Sequence, residues 1–468
     1  MMTPRTNPVA ALLLALVFCV PGQARSAQTL KEALRVVQDS ASVNTGAVGF
    51  AAQRTPAFDA FLVIRDTTSR EQLLEFTRHP HVNVRAYAGM ALQSRFPDDG
   101  FFELLMEKLR DEDSFEFFSG CSQSTVKIGD FYHRLFEARL SPEQRLKILD
   151  DLLLHENTLE TTDSLLRNGS LPASLLPSIR TQASRGNPSA LIALAQFNDP
   201  SDYPLIVASA EKHPYEVYRC IALNPQPEFS SLLAKAHPAL LAEKYHSTTQ
   251  REFYNAVAAF KTEETLNLLV QVLESDEEAA PMKSYHLEFV YQSIGTHSDP
   301  LYDPLKWRFW SELGVVDLPT FSHLRALDEE RANTLACHTL EHLDWRIKDD
   351  LLTALLDAVR PRDPALVERL IVAELERCDV SRYRFFADIA AAKPQTTYIE
   401  PLFIAIESAG NPHLFLEATK ALIAYDQAAI HRRILAAPAK NPALASGWGG
   451  EAFQELTKTI DASAVDVP

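Results

Sequence analysis

The string His338-Thr339-Leu340-Glu341-His342 sets two imidazoles four residues apart with a carboxylate between them. On a helix this spacing brings both rings to one face, where they can share a single metal ion while Glu341 polarises a water beside it. A thiol and an imidazole, Cys121 and His133, form a second and thinner constellation, because no third residue fixes their orientation. Phosphate-cradling glycine loops, a nucleophile-elbow Gly-x-Ser-x-Gly and calcium-loop patterns are absent from the sequence.

The string matches the H-x-x-E-H motif and so resembles the inverted zincins. That likeness implies a zinc site held by His338 and His342, with Glu341 as base and a further glutamate downstream, for which Glu374 and Glu417 are candidates. The helix around it places its apolar stripe at Ala332, Leu335, Ala336, Leu340 and Leu343, well away from the two histidines. No strand pattern surrounds it, and the chain holds 14 histidines, enough for a chance match. The reading is therefore that the string is surface, that the chain has no catalytic residues and no cofactor, and that it is not an enzyme. A zinc-dependent hydrolase is the alternative.

What would position any site is helical. The chain is 468 residues long, 46% hydrophobic and 23% charged, with only 15 glycines and few Val/Ile/Thr alternations, which favours an all-α fold. Paired amphipathic segments recur at 79–109, 187–210, 213–236, 251–273, 330–359, 382–408 and 411–435, each an Ala- and Leu-rich helix, a polar turn and a second helix. Degenerate copies of one helical hairpin predict an α-solenoid, because each unit covers its neighbour's apolar face. Within 79–109, Val84-Arg85-Ala86-Tyr87-Ala88-Gly89-Met90-Ala91-Leu92 resembles the second helix of a HEAT or armadillo-like repeat. The resemblance implies a scaffold and carries no catalytic residue.

Boundaries follow from the breaks in this pattern. Residues 1–24 read as a signal peptide, with Arg5, the apolar run Val9–Val20 and small residues at Gly22 and Ala24, predicting cleavage after Ala24 and a periplasmic or secreted product. Residues 25–78 form an N-terminal helical cap, 79–275 HEAT-like repeats with an irregular loop at 110–130, and 276–328 an aromatic-rich irregular segment. Further repeats fill 329–460, and 461–468 is a tail. Four cysteines follow the leader, with a Cys337–Cys378 bridge as one option.

The formal charge of −17 excludes nucleic acid as a natural partner and suits a basic protein. The expected function is a non-catalytic protein-binding module, either a scaffold or an inhibitor such as an immunity protein. A purely structural envelope protein is a further alternative. Contacts are expected at Phe115, Phe117 and Phe118 in the loop and at Tyr285, Tyr291, Tyr302, Trp307 and Trp310 in the aromatic segment; the alternative is that the phenylalanines plug a gap between units and the aromatic segment fills a wide joint between repeats.

Overall fold

Short polar residues start the helices. Thr29, Ser69, Ser141 and Ser247 each accept a hydrogen bond from the backbone of the residue three places on, and Glu32, Gln72, Gln144 and Gln250 reciprocate to the cap backbone. Asn187 and Asn411 cap helices that begin with Pro188 and Pro412, where the missing N–H costs nothing. His237-Pro238 differs from the other X-Pro pairs, since Pro238 lies inside the Ser230–Leu241 helix. The computed structural model describes residues 29–460 apart from 51, 97–100, 156, 170, 246, 277 and 459, so the expected leader and cleavage site lie outside the described residues.

The protein is mostly helical (71%), which settles its class, and no described helix is long and apolar enough to cross a membrane. It divides into two units. The first runs to Phe260 and includes Asn267–Val290; the second takes Lys261–Leu266 and runs on from Tyr291.

In the first unit the helices Glu160–Asn168, Pro188–Phe197, Pro214–Leu223 and Thr248–Ala259 pack one on the next, so alternate helices of successive hairpins form a row. Ser189 to Ala195 are all buried, since a helix in the middle of such a row is covered on several sides. Small residues permit the close approach: Ala190, Ala193, Ala256 and Ala258 are fully buried.

Among the described residues, three strands interrupt this mostly helical chain. β1 is Val43–Val48, β2 is Ser114–Gly120 and β3 is Ser122–Lys127, in the order β1-β2-β3. β1 runs parallel to β2 with Val43 opposite Phe117, and β2 runs antiparallel to β3 with Ser119 opposite Ser122. Gly120, at φ +57°, supplies the left-handed residue that a tight hairpin turn requires. The expected irregular loop at 110–130 is therefore largely this hairpin, and the polar stretch after the first helix contributes its parallel partner. Phe115 is buried and meets Phe131 edge-on at 5.1 Å. Phe117 lies 5.3 Å from the same ring, so both side chains tie the sheet to the Ile128–Phe136 helix. On the outer edge of β1 a side chain stands in for a strand. The Asn44 N–H donates to the Tyr87 hydroxyl at 2.8 Å, and that hydroxyl donates back toward the Asn44 carbonyl at 3.4 Å.

In the second unit the hairpin pattern continues. Glu329–Glu341 packs on Leu318–Leu327, Asp349–Val359 and Pro364–Arg377. Pro412–Ile423 packs on Tyr383–Ala392, Ile399–Ser408 and Gly447–Thr457. Together with the first unit this is a generic helical-repeat architecture of many packed helices.

Candidate metal centre

The helix Glu329–Glu341 starts where Asp328 accepts from the Arg331 N–H, and it buries Ala332, Asn333, Ala336, Thr339 and Leu340. At about 100° per residue those five lie on one side, and positions 338, 341 and 342 lie on the other. Burial of the inner face thus forces His338, Glu341 and His342 outward, and all three are exposed. The inner face is also pinned by hydrogen bonds. Thr339 Oγ1 donates to the Leu335 carbonyl at 2.8 Å and accepts from the Trp310 indole Nε1–H at 2.9 Å.

On the outer face the ligand atoms of His338, Glu341 and His342 all lie within 4.8 Å of one another. The two imidazole rings are 4.4 Å apart between centroids, inclined by 47°. His342 Nδ1 sits 3.0 Å from the His338 carbonyl oxygen. A carbonyl only accepts, so Nδ1 carries the proton and Nε2 keeps its lone pair for a ligand. His342 is also the residue at which the helix stops. The unsatisfied carbonyls of a helix C-terminus carry partial negative charge, which favours a cation at this end.

Two imidazole nitrogens form a donor pair that suits Zn2+, which binds such atoms at about 2.0–2.1 Å and leaves them roughly 3.4 Å apart, with Glu341 beside them to act as base on a bound water. Closing from 4.8 Å to that separation takes only side-chain rotation, and exposed residues rotate freely.

This convergence corrects the expectation of a non-catalytic binding module and of a chain that is not an enzyme. The position that counted against the histidines, away from the apolar stripe, is the one an accessible centre on a packed helix must take. Neither downstream glutamate joins the group among the described residues. Glu374 is buried and paired with Arg377 at 3.5 Å, and Glu417 is paired with Lys420 at 2.6 Å. Glu341 is therefore the carboxylate of this centre.

The other expected sites disperse. Trp307 and Trp310 are buried and stacked at 6.0 Å, with the Arg331 guanidinium 4.4 Å above the Trp307 ring. Tyr302 is fully buried. Tyr291 donates to Thr320 Oγ1 at 3.0 Å and accepts the Asp317 N–H at 2.9 Å, while Tyr285 is 38% exposed. Phe118 lines a cavity of about 640 Å³ beside Asp39, Asn44, Gln53 and Arg54. Cys121 is exposed at the hairpin turn, whereas His133 is buried, and burial lowers its imidazole pKa. Cys337 and Cys378 are both free thiols.

Two buried histidines carried no sequence signal. His286 Nδ1 lies 2.9 Å from the Tyr254 hydroxyl, and His237 stacks on Phe253 at 5.9 Å. Compared with known proteins, the chain matches no family model, no curated protein and no solved structure.

Proposed function

We propose that the protein is a metal-dependent hydrolase, of the zinc class, whose centre is His338, Glu341 and His342. The observation that supports it is the convergence of their ligand atoms within 4.8 Å on the exposed side of a helix anchored on its other side. A Zn2+ held there would act as a Lewis acid on a carbonyl or phosphoryl oxygen and make water a nucleophile near neutral pH. His338 and His342 hold the cation through ring nitrogens, with His342 oriented by the His338 carbonyl. Glu341 takes a proton from the attacking water and returns it to the leaving group. The exposure of all three residues leaves the centre open to bulky substrates.

We place this activity outside the cytoplasm on the strength of the Val9–Val20 apolar run and the small residues Gly22 and Ala24. We read its scaffold as HEAT-like, the likeness resting on Val84 to Leu92.

The test is the metal content of purified protein, followed by hydrolysis of a panel of ester, peptide and phosphoester substrates. One zinc per chain is expected, with Glu341→Gln keeping the metal and losing turnover. Protein that binds no divalent metal, or a Glu341→Gln variant as active as wild type, rules the proposal out.

A further inference from the structure

We propose that Trp310 and Thr339 are positioning residues for the metal centre: their hydrogen bond fixes the rotation of the last helical turn, and with it the convergence of His338, Glu341 and His342. The inference rests on the metal-centre reading above and assigns roles to two residues that touch no ligand.

The last turn of a helix is its least constrained part, since its final carbonyls lack intrahelical partners. All three residues sit in that turn or at its end, as the helix closes at Glu341. Rotation or fraying there would separate them, so something must hold it. Thr339 stands between His338 and the Glu341-His342 pair in sequence and points the opposite way, into the core. Its single hydroxyl proton goes to the Leu335 carbonyl at 2.8 Å, which leaves the oxygen to accept the Trp310 Nε1–H at 2.9 Å.

Trp310 is itself immobile. It is 2% exposed, stacks on Trp307 with the planes 6° apart, and meets Phe321 edge-on at 5.6 Å. A directional bond from a fixed indole to the middle of the motif sets the turn's angle in a way that apolar contact with Leu340 alone does not. Apolar contact has no preferred direction, whereas a bond made by one N–H to one oxygen weakens steeply as its angle changes. Partners bonded directly to metal ligands typically change metal affinity by about 10- to 100-fold when removed, and a residue that fixes the turn carrying both histidines is expected to act on the same scale.

The experiment measures Zn2+ affinity of the full chain by competition with a chromophoric chelator, alongside helical circular dichroism. Trp310→Phe keeps the aromatic stacking and deletes the donor. Thr339→Val keeps the shape and deletes the hydroxyl, while Thr339→Ser restores it. We expect Trp310→Phe and Thr339→Val each to weaken Zn2+ binding by about 10-fold or more with helicity unchanged, and Thr339→Ser to bind near the wild-type level. Wild-type affinity in folded Trp310→Phe and Thr339→Val overturns the inference alone. Wild-type protein that binds no Zn2+ overturns the metal-centre reading and the inference with it. Should Trp310→Phe not fold, the contrast between valine and serine at position 339 decides.

Discussion

His342 Nδ1 lies 3.0 Å from the carbonyl oxygen of His338, so the backbone of one proposed metal ligand orients the ring of the other. The arrangement needs no outside residue to choose the tautomer, which suits a centre carried on the exposed end of one helix. It also separates what each histidine does. An alanine at position 338 removes one donor but keeps the carbonyl that orients His342.

The first prediction follows from that separation. His338→Ala and His342→Ala should each weaken zinc binding by about 10-fold or more, and the double variant should retain none. Both side chains are exposed, so thermal stability without metal should stay within about 0.5 kcal/mol of wild type. Metal analysis and melting curves of the three variants check this together, and a double variant that keeps its zinc refutes it.

Glu341→Gln keeps the shape of the side chain and deletes its basicity. Turnover on any substrate found should fall by about 10²–10⁴-fold, the usual worth of a positioned general base. The measurement is kcat at saturating metal, which distinguishes lost proton transfer from lost zinc.

At the sheet edge, Tyr87→Phe should destabilise the protein by about 1–3 kcal/mol, because the Asn44 N–H loses its acceptor in a buried place. The phenylalanine keeps the stacking of ring 87 on Phe61 at 5.2 Å, so the loss reports the hydroxyl. Burial pushes the Tyr87 hydroxyl pKa up to about 12, so it stays a neutral donor and acceptor across ordinary pH. A urea midpoint equal to wild type would show that water replaces the tyrosine at no cost.

Two glycines in helices should respond in opposite directions to alanine. A Cβ on Gly89 would meet the Tyr132 ring at 2.8 Å, and that ring is held because its hydroxyl donates to the Arg85 carbonyl at 2.7 Å. Gly89→Ala should therefore cost about 1–3 kcal/mol. Gly295 lies in the Lys283–Thr296 helix with nothing within 4 Å of a Cβ, so Gly295→Ala should stabilise by about 0.5–1 kcal/mol. Chemical denaturation of the pair is the check, and a shared sign contradicts the packing argument.

Acid should loosen the first unit. Burial holds the imidazoles of His237 and His286 below the ordinary histidine value of 6.5, and for His286 the neighbouring His237 adds to the effect. The unfolded chain then binds more protons than the folded one between the folded values and 6.5. The stability these groups contribute is present above that pH and is lost as pH falls through the folded values. The urea midpoint should drop between about pH 7.5 and pH 5, and His237→Phe should shrink the drop. An undiminished drop in that variant assigns the sensitivity to other groups.

Much of the helical framework is legible in the sequence because helix starts are local. Ser141-Pro142 with Gln144 announces its helix with no help from the rest of the chain. The strands are not legible for the same reason reversed. Ser122 to Thr125 are all exposed, so β3 shows no apolar alternation, and β1 is defined by a partner about seventy residues away. At the candidate centre both the motif and its outward position can be read from the apolar stripe, but the convergence of the three side chains cannot, since it depends on their rotamers in the folded helix. Trp310 illustrates the gap most clearly. Its sequence context fits either a partner surface or a filled joint, and the structure buries it, bonded to Thr339.

The parallel pairing of β1 with β2 has a consequence for how the chain is made and kept. Val43–Val48 emerges from the ribosome well before Ser114–Gly120, so during synthesis β1 stays unpaired until the hairpin that carries Ser-Phe-Glu-Phe-Phe-Ser-Gly is made. Once β1 docks, an aromatic-rich strand that would otherwise recruit strands from other molecules is sealed on both sides. Proteolytic trimming past Val48 would unseal it. The segment whose loss should first drive self-association is thus the one that looks most like a dispensable linker.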